Sequence, residues 1–310
     1  MSRCDRQGAK GPTGWADGSQ GGAPATDSTG FRYAFALVQR LELIDAHVHA
    51  DGLSDADLDT LARFGVGRVV VCAHDGALEP GAEATAKAWL TQFEQLLTVQ
   101  APRLKQAGLS PLFALGVHPA HAPWHGLDEI LHKLPAFLSD PTVVGIGAVG
   151  LKRADERERY VLARELELAA ELRLPVWVSA PPLDPERGLR QVAATLRELA
   201  FPAERVLVGQ VTPGMVPLLL ACGFSLALEP SAQRLSVPEI VRLVRRHGPN
   251  RFVLTSHAGD GSADLLAVPS VVAHLRDAGL SPAVIRRVAR DNALRLAGRE
   301  EPLARRARAG

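Results

Sequence analysis

From Leu43 onward, short apolar runs end in Gly, Pro or a polar residue, and an amphipathic stretch follows each of them. The apolar runs predict strands at Leu43 to His49, Arg68 to Ala73, Pro111 to Val117, Val143 to Val149, Val176 to Val178, Val206 to Val208, Phe224 to Leu228 and Phe252 to Leu254. Helical spacing between them predicts helices at Ser54 to Phe64, Ala82 to about Ala107, Leu127 to Leu138, Glu156 to Leu172, Gly188 to Ala200, Gly214 to Ala221 and Pro238 to Arg246. Two more, near Leu265 to Asp277 and Ser281 to Leu296, close the pattern. The first helix opens on Ser54 as N-cap, carries acids in its first turn, and sets Leu58, Leu61 and Ala62 at helical spacing.

Strands that alternate with helices make parallel βαβ units. Eight such strands favour a closed (β/α)8 barrel, the TIM-barrel architecture, over an open doubly wound sheet. The near-continuous apolar strands agree, because parallel strands are covered on both faces. No glycine-rich dinucleotide fingerprint follows the first strand, which counts against a Rossmann fold. We expect one barrel domain over residues 41–298. A disordered leader over 1–40, with a Gly/Ser/Ala/Asp/Pro-rich stretch at 1–29 that also fits a misassigned start codon, and a basic tail over 299–310 flank it.

Composition narrows the class. Of 310 residues, 46% are hydrophobic and 22% charged, ordinary for a globular protein with a substantial core. The 35 basic and 34 acidic residues leave a net charge of +1, which gives no whole-molecule argument for a nucleic-acid partner. Apolar runs are strand-sized, so no membrane span is expected, and no signal-peptide apolar segment opens the chain. Cys4, Cys72 and Cys222 form no CxxC pair. A reducing cytoplasm is the expected location, with Cys72 and Cys222 as small buried apolar residues. The Arg-, Ala-, Leu-, Gly- and Pro-rich usage reads as the codon bias of a GC-rich bacterial genome.

The first strand ends in His47-Val48-His49. Alternate side chains of a strand share a face, so the two imidazoles project together, close enough to grip one metal ion. In a barrel of this kind the active site lies at the C-terminal strand ends. Those ends supply His47, His49 and Asp51 from the first strand, His74 and Asp75 from the second, and His118 from the third, with His121 and His125 beyond it. They supply Ala148, Gly150 and Lys152 from the fourth, Ser179 from the fifth, and Gln210 and Thr212 from the sixth. Glu229 comes from the seventh, and Ser256, His257 and Asp260 from the eighth. Histidines thus gather on strands one, two, three and eight, a contiguous arc once the barrel closes. Strands four to six offer no His, no Cys and no obvious carboxylate ligand.

Several segments together carry a resemblance: IDAHVHAD (44–51), ALGVHPAHA (114–122), VVGIGAVGLK (143–152), ELELAAELRLPVWVSAPP (165–182), FVLTSHAGDGSADLLAVP (252–269) and VARDNALRLAG (288–298). In these the chain resembles the TatD family of metal-dependent hydrolases, and more closely its TatD-related branch, over about Leu43 to Ala297. The resemblance implies an amidohydrolase-like barrel with metal ligands on five strands. The His-x-His pair is kept as His47 and His49. The fourth-strand glutamate expected to bridge two metals falls at Ala148, the fifth-strand histidine at Ser179, the sixth-strand histidine at Gln210, and the eighth-strand aspartate at His257. A methyl group coordinates nothing, and Ser and Gln are poor substitutes for imidazole toward a borderline-soft ion. The family's two-metal site is therefore not expected here.

Two readings follow. In the first, favoured slightly by four changed ligand positions, the chain is a catalytically degraded homologue, a pseudoenzyme holding no ion. Its barrel would serve as a scaffold or bind a small molecule or a protein partner. In the second, His47, His49 and His257 rebuild a site for one divalent ion, zinc or manganese, and hydrolyse a phosphoester, ester or amide. Asp260 or Asp51 would then handle the proton. His118, His74 and Lys152 are candidates for substrate contact or for support behind the ligands; a solvated His74 and a solvated Lys152 are the bland alternatives. Glu229 is a further acid–base candidate. A DNase is disfavoured by the neutral charge and the missing ligands.

Overall fold

The computed structural model of the chain describes residues 41–73, 85–118, 123, 125–181, 184–231, 234–261 and 263–299. The expected leader, all but the first residue of the expected tail, and His74, Asp75 and His121 lie outside the described residues.

Eight parallel strands pair in chain order: β1 Leu43–Val48, β2 Val66–Cys72, β3 Ser110–Ala114, β4 Val143–Gly150, β5 Val176–Ser179, β6 Val206–Gly209, β7 Ser225–Leu228 and β8 Phe252–Leu254. The helices are α1 Asp55–Arg63, α2 Ala86–Gln95, α3 Ala101–Gln106, α4 Leu127–Leu138, α5 Glu156–Glu171, α6 Pro185–Glu198, α7 Val216–Ala221, α8 Val237–His247, α9 Ala267–Asp277, α10 Pro282–Arg286 and α11 Asn292–Leu296. The ring closes where β8 runs alongside β1: His257 N–H donates to the His47 carbonyl at 3.0 Å, and His49 N–H to the Ala258 carbonyl at 2.8 Å. This is the expected (β/α)8 barrel.

Local chemistry explains the boundaries. Ser54 caps α1 as expected, in a reciprocal capping box with Asp57. The long second helix is broken into α2, a π turn at Leu96–Gln100, and α3. Pro102 brings no N–H to the first turn of α3, and a wider turn takes up the register there. β3 stops at Ala114, three residues short of the expected Val117. Leu115 N–H still reaches the Gly145 carbonyl of β4 at 3.2 Å, but Val117 N–H is given to the Glu165 carboxylate on α5, at 2.5 Å.

Inside the ring lies a small-residue core. Ile44, Ala46, Val70, Cys72, Leu112, Ala114, Val144, Ala148, Leu207, Ala227 and Val253 cluster with Trp177, and α11 seals the floor with Ala293, Leu294, Leu296 and Ala297. A larger apolar layer packs between the strands and the helices. Burial pushes the Cys72 thiol well above its usual range, so it is the inert core residue expected.

Candidate metal centre

β1 has to turn two histidines toward the mouth of the barrel after presenting Ile44 and Ala46 to its interior. A register shift against β2 does this: Asp45 pairs with Val69 but Val48 with Val71, so one extra residue is accommodated on β1. Val48 then joins the outer layer. His47 and His49 stand together, with ring centroids 4.9 Å apart.

β8 brings the third imidazole. His257 has φ +59°, a left-handed conformation that L-residues adopt at a cost. Its backbone is held from both sides, by its own N–H to His47 and by Asp260 N–H to its carbonyl at 3.2 Å. The result is a ring of three: His257 stacks on His47 at 4.3 Å and meets His49 edge-on at 4.8 Å. All three are buried, and one nitrogen of each lies within 4.8 Å of the other two. A tetrahedral ion with nitrogens at about 2.1 Å needs them roughly 3.4 Å apart, so a modest contraction makes the fit. Three buried imidazoles on one strand seam suit a borderline-soft divalent ion.

Close approach of the two loops at this seam depends on glycine. A Cβ at Gly259, where φ is +93°, would lie 2.0 Å from the His49 carbonyl oxygen, and one at Gly52 would lie 2.1 Å from that of Gly259. Beneath the imidazoles, Asp45 ties β1 to β8. Its Oδ1 accepts from Ser256 N at 3.0 Å, Thr255 Oγ1 at 3.2 Å and His47 N at 3.3 Å. Burial raises its pKa to about 6, against the pull of those bonds, Ser256 foremost.

Two carboxylates flank His257. Glu229, at the end of β7, puts Oε2 3.6 Å from Nδ1, and Asp260 puts Oδ2 3.4 Å from Nε2. Glu229 is buried, and burial lifts its pKa above the usual carboxylate value while His257 and then Arg234 pull it back. Arg234 Nη1 lies 3.2 Å from its other oxygen. Asp260 is largely exposed, at the mouth. With an ion on Nε2, the Nδ1 proton would point at Glu229, the arrangement in which a carboxylate fixes tautomer and ring orientation.

The remaining sequence candidates distribute as follows. Asp51 is exposed on a 3-10 turn, Ala50–Gly52, that Arg103 of α3 holds through the carbonyls of Ala50 and Leu53. Lys152 is half-buried, and its backbone N–H, with those of Arg153 and Ala154, is gathered by the buried carboxylate of Glu158 at 2.7 to 2.8 Å. His118 is half-buried, just past the Val117–Glu165 bond. On the opposite wall, Ala148 is buried in the inner core, Ser179 is 8% exposed, and Gln210 is half-buried with φ +56°. Sequence reasoning passed over Asp45, Glu158, Glu165 and Trp177. The first three carried a usable signal: Asp45 is an acid within an apolar strand, and Glu158 and Glu165 share the apolar face of α5.

Known proteins share this fold and parts of this sequence. Residues 44–181 match the model of a family described as TatD related DNase. The chain is 28% identical over 239 residues to an uncharacterised metal-dependent hydrolase of Methanocaldococcus jannaschii, spanning 77% of this chain and 92% of that protein. A TatD-like protein from Archaeoglobus fulgidus has a similar crystal structure, with TM-score 0.67, 24% identity, and coverage of 82% of this chain and 99% of that one. A phosphotriesterase homology protein from Escherichia coli, solved with phosphate in its active site, matches with TM-score 0.62 at 14% identity over 83% of this chain and 99% of that one. The structural likenesses establish the fold, and the two sequence matches show what the chain is similar to: a TatD related DNase family model over residues 44–181 and a metal-dependent hydrolase over most of its length.

Proposed function

We propose that the chain is a hydrolase that uses one divalent metal ion, held by His47, His49 and His257, and acts on a phosphoester, ester or amide. The observation that carries this reading is the convergence of the three buried imidazoles, one of them at a position where the family pattern has an aspartate. When bound, such an ion lowers the pKa of its water and polarises the bond to be cleaved. The chain's own groups divide the rest. Glu229 orients His257 from behind, and Asp260 stands at the open side of the same ring, placed to take a proton at Oδ2 and return it to a leaving group. Asp51 and Lys152 sit farther out on the rim loops, as candidates for contact with substrate.

Fold neighbours include a β-aspartyl dipeptidase from Fervidobacterium islandicum and a lactonase from Listeria monocytogenes, at 16% and 14% identity. Their spread leaves the reaction class to be set by this chain's own site. A second reading, a barrel that binds without turnover, is supported by Ala148, whose methyl lies in the apolar interior where the family's bridging carboxylate would start.

The test is calorimetric titration of chelator-treated protein with zinc and with manganese, paired with turnover of a phosphodiester, a carboxylic ester and an amide. One ion per chain, lost in His47→Ala and His257→Ala, with metal-dependent turnover of one substrate class, is the expected result. Binding without turnover would favour the second reading, and no binding of either metal would remove the first.

A further inference from the structure

A cavity lies at the end of the barrel opposite the imidazoles, where strands begin. It encloses about 470 Å³ between the N-terminal ends of β4, β5 and β6 and the end of α11. That is the size of a small-molecule site. Its walls differ sharply from its floor. Val143, Val144, Leu174, Pro175, Leu296 and Ala297 make an apolar surface, while Arg173, Arg205, Arg295 and Arg299 supply guanidinium groups and Glu204 the one carboxylate.

Three of the arginines lack a nearby counter-charge: among the described residues Arg173, Arg205 and Arg299 have no carboxylate within ion-pair distance. Arg299 is steadied by a bond to the Pro141 carbonyl, and Arg295 donates to the Asn250 carbonyl at 2.8 Å. On Arg299 that neutral acceptor holds the side chain without cancelling its charge. Guanidinium groups lining an apolar recess present the chemistry that recognises phosphate, with a surface beside it for an uncharged ring or chain.

We propose that this cavity is a binding site for a small organic phosphate, such as a nucleoside diphosphate, separate from the histidine centre. The phosphates would bridge the arginines and the uncharged part would lie on Leu174, Pro175 and Leu296. Placement on the face opposite the active-site mouth makes it a site for a ligand other than substrate, one that acts on the stability of the barrel floor.

Isothermal titration of the full, chelator-treated chain with ADP and with inorganic pyrophosphate tests the proposal. Both are expected to bind, ADP more tightly because of its uncharged part. The double substitution Arg173→Glu with Arg205→Glu should weaken ADP by about tenfold or more, while His47→Ala leaves it unchanged. Arg173→Gln with Arg205→Gln gives the same reading if charge reversal disturbs folding, which circular dichroism would reveal. No binding at millimolar ADP, or binding that falls with His47→Ala and ignores the arginines, would overturn the site. Equal affinity for ADP and pyrophosphate would overturn the role given to the apolar floor.

Discussion

The indole N–H of Trp177, on β5, donates across the barrel to the carbonyl of Ala46, on β1, at 3.0 Å. The interior is shaped around that reach. A Cβ at Gly145 would lie 2.3 Å from Trp177 Cζ3, and one at Gly147 would lie 2.6 Å from Trp177 Cβ, so β4 stays bare where the indole passes. Ala46, Ala114, Ala148 and Ala227 share its cluster. Ala46 is also the residue before His47, at the register shift that turns the histidines to the mouth. Trp177→Phe should therefore do two things. It should cost about 1–3 kcal/mol by leaving the buried carbonyl without a donor, measured by urea denaturation. It should also weaken zinc binding by letting β1 relax. Unchanged zinc affinity in a measurably destabilised variant would detach the indole from the metal centre.

This packing also constrains Ala148. A glutamate there would start in an apolar layer already filled by an indole. Ala148→Glu is expected to lower stability by roughly 2–5 kcal/mol, the range for burying a carboxyl without full partners. Metal stoichiometry should remain one per chain. Two ions per chain in Ala148→Glu, by inductively coupled plasma mass spectrometry after zinc loading, would mean the second site was only one residue from intact.

Glu229 should matter through His257. Removing a carboxylate that orients a ligand imidazole typically weakens metal binding about 10–100-fold. Glu229→Ala is expected in that range by zinc titration. Glu229→Gln should fall between it and wild type, because an amide oxygen still accepts from Nδ1–H. Equal affinities for all three proteins would show that His257 is held by its backbone alone.

Much of this was legible from the order of residues. Eight apolar runs, each with its helix, announced the barrel, and the His-x-His spacing announced two imidazoles standing together at the end of the first strand. Closure of the ring then put His257 beside them, because β8 must neighbour β1. What could not be read was set by contacts distant in sequence. Glu229 meets His257 only through the β7–β8 neighbourhood, and the register shift at Ala46 is invisible in a run that looks like an uninterrupted strand. Beyond the end of β3, Val117 N–H goes to a side chain about fifty residues later, Glu165. Trp177 looked like any apolar strand residue, since only the glycines opposite it reveal how far its ring extends.

Glu165 also makes a prediction about pH. It lies on α5, fully buried, with Oε1 on Val117 N–H and against Gly116. Burial raises its pKa to about 8, and the Val117 bond only partly offsets this. In the folded chain the carboxyl is thus neutral at pH 7, whereas in the unfolded chain it ionises near its ordinary value of about 4.5. Between those two values the unfolded state has given up the proton that the folded state keeps, so stability falls as pH rises. The contribution is fully present below about 4.5 and lost by about 8, and it amounts to at most about 3–5 kcal/mol. Glu165→Gln removes the titration while keeping an oxygen for Val117. The variant should be equal to wild type or slightly weaker at pH 5, and clearly more stable at pH 8.5. Thermal unfolding of both proteins across that range checks it. Parallel curves would show that Glu165 ionises in place, and that the His118 loop it holds is more open to water than its burial implies.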